Sequence, residues 1–545
     1  MNKFTLTLLD TTGIQDYIFA SNRLQENIGA SELVYRATTL WAFKALEEVV
    51  GDAHNIMAGG SFDESQHIEE KDSKLMAEVI QAAGGNTVIL FREKNDSRKF
   101  VQKLTLRVLN EAPGLTVLAK HDDEFEFNSS VPLKDVIKTL HEEMQKHKVS
   151  RRSSSPLRGL SVTAICDSTG LPAVYTLAEK IKINGEDERL GLPGETPGDL
   201  VSSEAAAKRG WRKYANERLN RILKNAADGF TFPFDLEKLG RIKGEESYVA
   251  VIHADGNRMG DRFQQIGEDA TDDRDFIQKM RAFSNKIDSI SRSALESVVG
   301  LVVQAVKNED IPFVEEEGKI YLPFRPLVFG GDDVTFVCSG LIGVSLAAAY
   351  MEAFEKTAKD QGEDDFHASA GVAIVKMHYP FARAYKLAEE LTANAKTLNR
   401  KPKADCSAID WHFAQSGLSG SLDMIRRKEY TLEDKVSKLN LRPLTLTGGA
   451  KSWQTVKSVM STFKTEWADQ HNKVVSLREV LRKGNGNLVH DYLQDFDLLK
   501  KKLPEIPGVD VRESGWQEGV CYYFDAIELL DHYVALEEKK KEATV

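Results

Sequence analysis

Leu327-Val328-Phe329-Gly330-Gly331-Asp332-Asp333-Val334-Thr335-Phe336-Val337 is the stretch on which the reading of this chain turns. Apolar, β-branched and aromatic runs flank two glycines and two aspartates, the pattern of a tight β-hairpin with a functional tip. Gly330 and Gly331 permit positive φ and the close approach of a ligand. Adjacent carboxylates repel one another unless a positive group lies between them, and a divalent metal is the simplest such group. Taken alone, the tetrapeptide is more often a solvent-facing turn, so the case for chemistry has to come from the rest of the chain.

The 545 residues exceed a single core and predict two to four domains. A hydrophobic content of 41% and a charged content of 28% are those of a globular protein. No stretch reads as a membrane span and the opening residues do not read as a signal peptide, so no membrane partner and a cytoplasmic location are expected. Cys166, Cys338, Cys406 and Cys521 form no CxxC pair, which supports neither a disulfide framework nor a self-contained zinc ribbon. A formal charge of -11 argues against a general nucleic-acid coat.

Outward from the hairpin, Tyr248 to Ile252 is a buried-type strand that runs through His253-Ala254 into Asp255-Gly256-Asn257-Arg258-Met259-Gly260-Asp261. Phe276, Met280, Phe283, Ile287, Ile290, Leu295, Val298 and Val302 then recur at helical steps. After the hairpin come a helix over 341–357, a strand over 367–375 and a helix over 380–398. The order strand, helix, strand, strand, helix, strand is ferredoxin-like.

It is written twice. The earlier copy runs from a strand at Phe4 to Leu9, ending at Asp10, to a strand at 115–120, with a helix-like stretch expected over 69–83. Gly84 follows Asp10 by 74 residues and Gly330 follows Asp255 by 75, although Gly59-Gly60 is a rival for the first hairpin. Either choice puts Asn86-Thr87 or Ser61-Phe62 where the second copy has Asp332-Asp333.

The expected fold class is therefore α+β, with two ferredoxin-like palm domains, a helical middle insert and a helical C-terminal domain. The boundaries fall at 1–125, 126–246, 247–413 and 414–545. In the insert, Lys146, Lys148, Arg151, Arg152 and Arg158 read as a basic linker. The helix over 203–227 carries Lys208, Arg209, Arg212, Lys213, Arg218, Arg221 and Lys224 beside Trp211 and Tyr214. That pattern suits an RNA or subunit contact, although a solvated helix face is the commoner explanation of it.

The second palm brings Asp255, Asp332 and Asp333 to one sheet edge, a few-carboxylate oxygen site suited to Mg²⁺ or Mn²⁺. Two such ions stabilise the attacking and leaving oxygens of nucleotidyl transfer. Gly256, Asn257 and Gly260 can offer backbone N–H groups to a triphosphate at a helix start. Lys396 is either its charge partner or an ordinary solvated lysine. Asp261 could support the site from behind its carboxylates or cap a helix, and capping is the favoured reading.

These features resemble the large polymerase–cyclase subunit of type III CRISPR effector complexes. The likeness lies in the tandem palms, His253 to Gly260, Phe329 to Asp333, Ala393-Asn394-Ala395-Lys396, Gly13 to Phe19 and Gly29 to Leu33. The resemblance implies that the second palm converts ATP to cyclic oligoadenylates. Asp255, Asp332 and Asp333 would bind metal, Lys396 with Gly330 and Gly331 would bind nucleotide, and the first palm would contact an acceptor nucleotide. Partners implied are ATP, guide RNA and effector-complex subunits. The chain starts at the first palm, where the family often has an HD nuclease domain, so DNA cleavage is not expected. The family's zinc ribbon is reduced to Cys166-Asp167-Ser168-Thr169-Gly170, so zinc is not supported. Two alternatives stand beside the cyclase: a catalytically silent scaffold subunit and a GTP-using dinucleotide cyclase.

Overall fold

The computed structural model describes residues 3–150, 162–224, 226–240, 247–400, 406–414, 420–496 and 502–536. Arg151, Arg152, Arg158 and the charged C-terminal tail lie outside them. The chain forms two compact units: 1–224 with 258–289, and 225–257 with 290–545.

The first unit holds a four-stranded antiparallel sheet in the order Ala77–Ala83, Asn86–Phe91, Phe4–Thr12, Thr116–Phe125. Leu6 and Leu8 pack with Ile68, Val88, Leu90, Leu133, Leu140 and Met144. Phe100, Leu104 and Val108 are the buried, four-spaced face of the helix Lys94–Glu111. The helix expected over 69–83 is instead turns leading into the strand Ala77–Ala83. Its Glu78 is fully buried and is held by Arg274 and Arg281, so a charged residue occupies a core strand position. The first hairpin thus turns at Gly84-Gly85 and not at Gly59-Gly60.

In the same unit the helix Ser203–Ile222 packs on Leu24–Thr38. A Cβ at Gly29 would lie 1.6 Å from the Lys208 carbonyl oxygen, so the two backbones meet where only glycine fits. Most of the basic face is neither solvated nor free for RNA. Lys208, Arg209 and Arg212 are buried. Arg209 Nε lies 2.7 Å from Glu26, Arg218 Nε lies 2.7 Å from Glu32, and Lys208 Nζ donates to the Tyr17 carbonyl. Arg212 donates to the carbonyls of Arg189, Leu190 and Arg209, and burial, with the Arg209 charge beside it, lowers its pKa to about 10. Two two-stranded sheets also stand in the middle insert, Ala173–Thr176 with Leu200–Ser202 and Lys180–Ile183 with Glu186–Arg189.

The second unit is built on a six-stranded sheet ordered Phe324–Val328, Asp333–Ser339, Tyr248–Gly256, Ala368–Lys376, Ala408–Ala414, Leu444–Thr445. The first four strands repeat the first unit's antiparallel plan, and Ala408–Ala414 adds in parallel beside Ala368–Lys376. Gly371 lets the helix Phe381–Ala395 lie directly on the sheet, since a Cβ there would meet the Ala388 carbonyl oxygen at 2.2 Å. That contact fixes the height at which the helix delivers Lys396.

The helix Asp273–Lys307 is long and apolar enough, by length and composition, to cross a membrane. The expectation that no stretch approaches a span is corrected to that extent, although 56% of its most apolar window is buried inside the protein, as in a core helix.

Candidate active site

The strand Tyr248–Gly256 is apolar from Val249 to Ile252 and is buried on both faces, which fixes its register between two neighbours. In that register Asp255 lies directly opposite Asp333. Gly330 and Gly331 take φ of 119° and 76°, a turn open to glycine and strained for other residues. The Gly256 N–H donates to the Asp332 carbonyl at 3.2 Å and ties the hairpin tip to the end of the strand. Asp255, Asp332 and Asp333, expected together from the sequence, are brought to one sheet edge.

Lys396 joins them. Its Nζ lies 2.5 Å from Asp255 Oδ2 and 3.2 Å from the Gly256 carbonyl. It is the residue after the helix Phe381–Ala395. Burial raises the Asp332 pKa to about 6, and the charges of Asp255 and Asp333 add to the rise while Lys396 opposes it. Asp333 Oδ1 is buried without an aligned hydrogen bond. Three carboxylates thus share a partly desolvated edge with one ammonium and, 3.2 Å from Asp333, the His253 imidazole.

Among the described residues no three His, Cys, Asp or Glu side chains converge as a ready-made metal cluster. At Asp255 the positive neighbour is the Lys396 ammonium. The buried, unaligned Asp333 Oδ1 and the raised Asp332 carboxyl are nonetheless oxygens that a hard divalent cation would satisfy. The donor set fits Mg²⁺ or Mn²⁺.

Asn257 faces the protein. Its Nδ2 donates to the Cys406 carbonyl at 3.1 Å, its Oδ1 accepts from Ser369 at 2.9 Å, and its backbone N–H donates to the His367 carbonyl. Asn399 reaches both Ser369 and the Cys406 N–H. This buried chain ties the end of the strand to the turn Lys396–Arg400 that carries the lysine. Gly260 falls in the helix Met259–Asp269, within the first compact unit, and is not among the groups that the second unit brings together. Asp261 does not cap that helix. The cap position is Arg258, at φ 55°, and Asp261 Oδ2 instead accepts from Arg258 Nε at 3.1 Å.

Sequence reasoning assigned no function to His253, Ser369 or Asn399. His253 carried the one available signal, a polar residue inside an otherwise apolar strand. Ser369 and Asn399 are ordinary in their local sequence and gain meaning only through the fold.

Residues 248–404 match the family model described as Cas10/Cmr2, second palm domain. No curated protein matches the chain by sequence. Among solved structures, the chain is similar to Csm1 of T. onnurineus, at 14% identity and a TM-score of 0.53, covering 97% of this chain and 69% of that one. A Csm1-Csm4 cassette in complex with cA4 gives 13% identity and a TM-score of 0.51, covering 97% of this chain and 70% of that one. The same cassette with one ATP gives 14%, 0.52, 98% and 70%. At such identities the likeness is one of fold. It extends the resemblance seen in the second palm's sequence to the architecture of nearly the whole chain.

Proposed function

We propose that this chain, with a second palm of the Cas10/Cmr2 type in a Csm1-like fold, is a metal-dependent nucleotidyltransferase that converts ATP to cyclic oligoadenylates in CRISPR-type antiviral defence. The observation that carries the reading is Asp255 in register with Asp333, beside Asp332 and within reach of Lys396. Asp255, Asp332 and Asp333 would hold Mg²⁺ or Mn²⁺. When bound, such ions supply Lewis-acid stabilisation of charge on phosphate oxygens. The protein's own contribution is placement. Gly330 and Gly331 keep the hairpin tip free of side chains, so a triphosphate can approach the carboxylates closely. Lys396, released from Asp255, would balance phosphate charge. The 3′-hydroxyl of one ATP attacks the α-phosphorus of another, the new P–O bond forms as the bond to pyrophosphate breaks, and the hydroxyl proton passes to solvent or to a carboxylate at the edge.

Related structures solved with ATP and with cA4 support adenine nucleotides as substrate and product. The Csm1-Csm4 cassettes support work beside effector-complex subunits. Guide RNA as a further partner and a cytoplasmic location belong to the same proposal. The Lys396–Asp255 pair favours a second reading, a silent scaffold whose cation position is closed by its own lysine. Purified protein incubated with each NTP and Mg²⁺ or Mn²⁺, with and without partner subunits and target RNA, separates the two by mass spectrometry. Cyclic oligoadenylates from ATP are the expected products. A GTP-derived ring would move the substrate, and no product under any condition would leave the scaffold.

A further inference from the structure

The two palms differ at one buried position that the metal-ligand reading leaves unused. In the second, His253 is 7% exposed and sits two residues before Asp255, on the same face of the strand and opposite Thr335. Its Nδ1 lies 3.2 Å from Asp333 Oδ1 and 3.5 Å from Thr335 Oγ1. The ring meets Tyr385 edge-on at 5.6 Å, and Thr392 donates to the His253 carbonyl at 2.9 Å, so both ring and backbone are held. In the first palm the register equivalents of His253 and Thr335 are Leu8 and Val88, paired opposite one another and 1% and 3% exposed. The fold therefore needs only two hydrophobes at this place. A buried imidazole and hydroxyl cost desolvation that Leu and Val do not, and the polar pair stands only in the copy that has the carboxylates.

We infer that His253, backed by Thr335 and Tyr385, is a positioning residue that fixes the Asp333 carboxylate so that its oxygens face the cation site. The inference rests on the nucleotidyltransferase reading and names a residue that reading does not use. Partners of this kind orient metal-binding groups, and their loss typically weakens metal affinity about 10- to 100-fold.

The test installs the first palm's pair, His253→Leu with Thr335→Val, alongside His253→Asn, whose amide can still reach Asp333. Mn²⁺ binding is read by titration calorimetry and folding by thermal melting. The double variant is expected to melt at or above the wild-type temperature while binding Mn²⁺ about 10- to 100-fold more weakly, and His253→Asn is expected to regain most of the affinity. Unchanged affinity in the folded double variant, or a loss in His253→Asn as large as in the double variant, overturns the inference while wild-type Mn²⁺ binding keeps the parent reading. A wild-type protein that binds no Mn²⁺ overturns both. Should the double variant fail to fold, His253→Leu alone is judged by the same criterion.

Discussion

The two palms share a strand register but not a chemistry. Asp10 opposes Asn86 in the first as Asp255 opposes Asp333 in the second. The Thr11 N–H donates to the Gly85 carbonyl just as the Gly256 N–H donates to that of Asp332. Gly85 thus stands for Asp332 and Asn86 for Asp333, one residue earlier than a letter-by-letter alignment of the two glycine pairs suggests. Each aspartate keeps a lysine at 2.5 Å: Lys148, near the end of the helix Leu133–Ser150, for Asp10, and Lys396 for Asp255. The difference is burial. The Asp10 side chain is 8% exposed and that of Asp255 is 32% exposed. One copy has a largely buried ion pair with no carboxylate at the hairpin tip; the other has a more open pair beside two further carboxylates, Asp332 and Asp333.

This contrast can be broken at several points. Removing each lysine in turn should separate the copies most sharply. Lys396→Ala is expected to slow oligoadenylate synthesis about a hundredfold, as for loss of one charge-stabilising group, while Lys148→Ala leaves the maximal rate unchanged in a steady-state assay. Equal losses would mean that the first palm takes part in the chemistry. Neutralising the aspartates should invert the order when stability is read. Asp10→Asn leaves the partly buried Lys148 without its charge partner and is expected to lower stability by about 1–3 kcal/mol in a urea titration. Asp255→Asn, at an open pair, is expected to cost less than about 1 kcal/mol.

The pH dependence sharpens the same point. The Asp332 pKa is raised from 3.8 to about 6 on folding, chiefly by burial. The folded state therefore holds this proton more tightly than the unfolded chain. That contribution is full at low pH and is lost as the pH rises through about 6. In metal-free buffer Asp332→Asn should be more stable than wild type at pH 7–8, by at most about 3 kcal/mol, with the advantage vanishing towards pH 4. An advantage that grows towards low pH would contradict the sign. At the small end, Lys213 bridges Glu186 and Glu188 on an exposed surface, and Lys213→Met should leave the unfolding midpoint unchanged in the same titration.

Much of this was legible in the sequence because it is local. The strands at Phe4 and Tyr248, the Gly330-Gly331 tip and the duplicated element order follow from period, turn chemistry and spacing. What was not legible depends on partners distant in sequence. Ala77–Ala83 reads as helix because Glu78 looks like a surface charge, and only Arg274 and Arg281 make it a core residue. The basic helix reads as a solvated face or an RNA contact because the carboxylates that pair with Arg209 and Arg218, Glu26 and Glu32, lie more than 180 residues away. The same applies to the Asn257–Ser369–Asn399 chain, whose members are silent until strand and turn meet.

In the proposed reaction the carboxylates of the second palm, and not Asp10 of the first, support phosphodiester formation. The direct measurement is product formation from ATP with Mg²⁺ or Mn²⁺ by wild type, Asp332→Ala/Asp333→Ala and Asp10→Asn, each shown to be folded. The account predicts cyclic oligoadenylates from wild type and Asp10→Asn and a loss of about a thousandfold or more in the double variant. Undiminished product from Asp332→Ala/Asp333→Ala would contradict it.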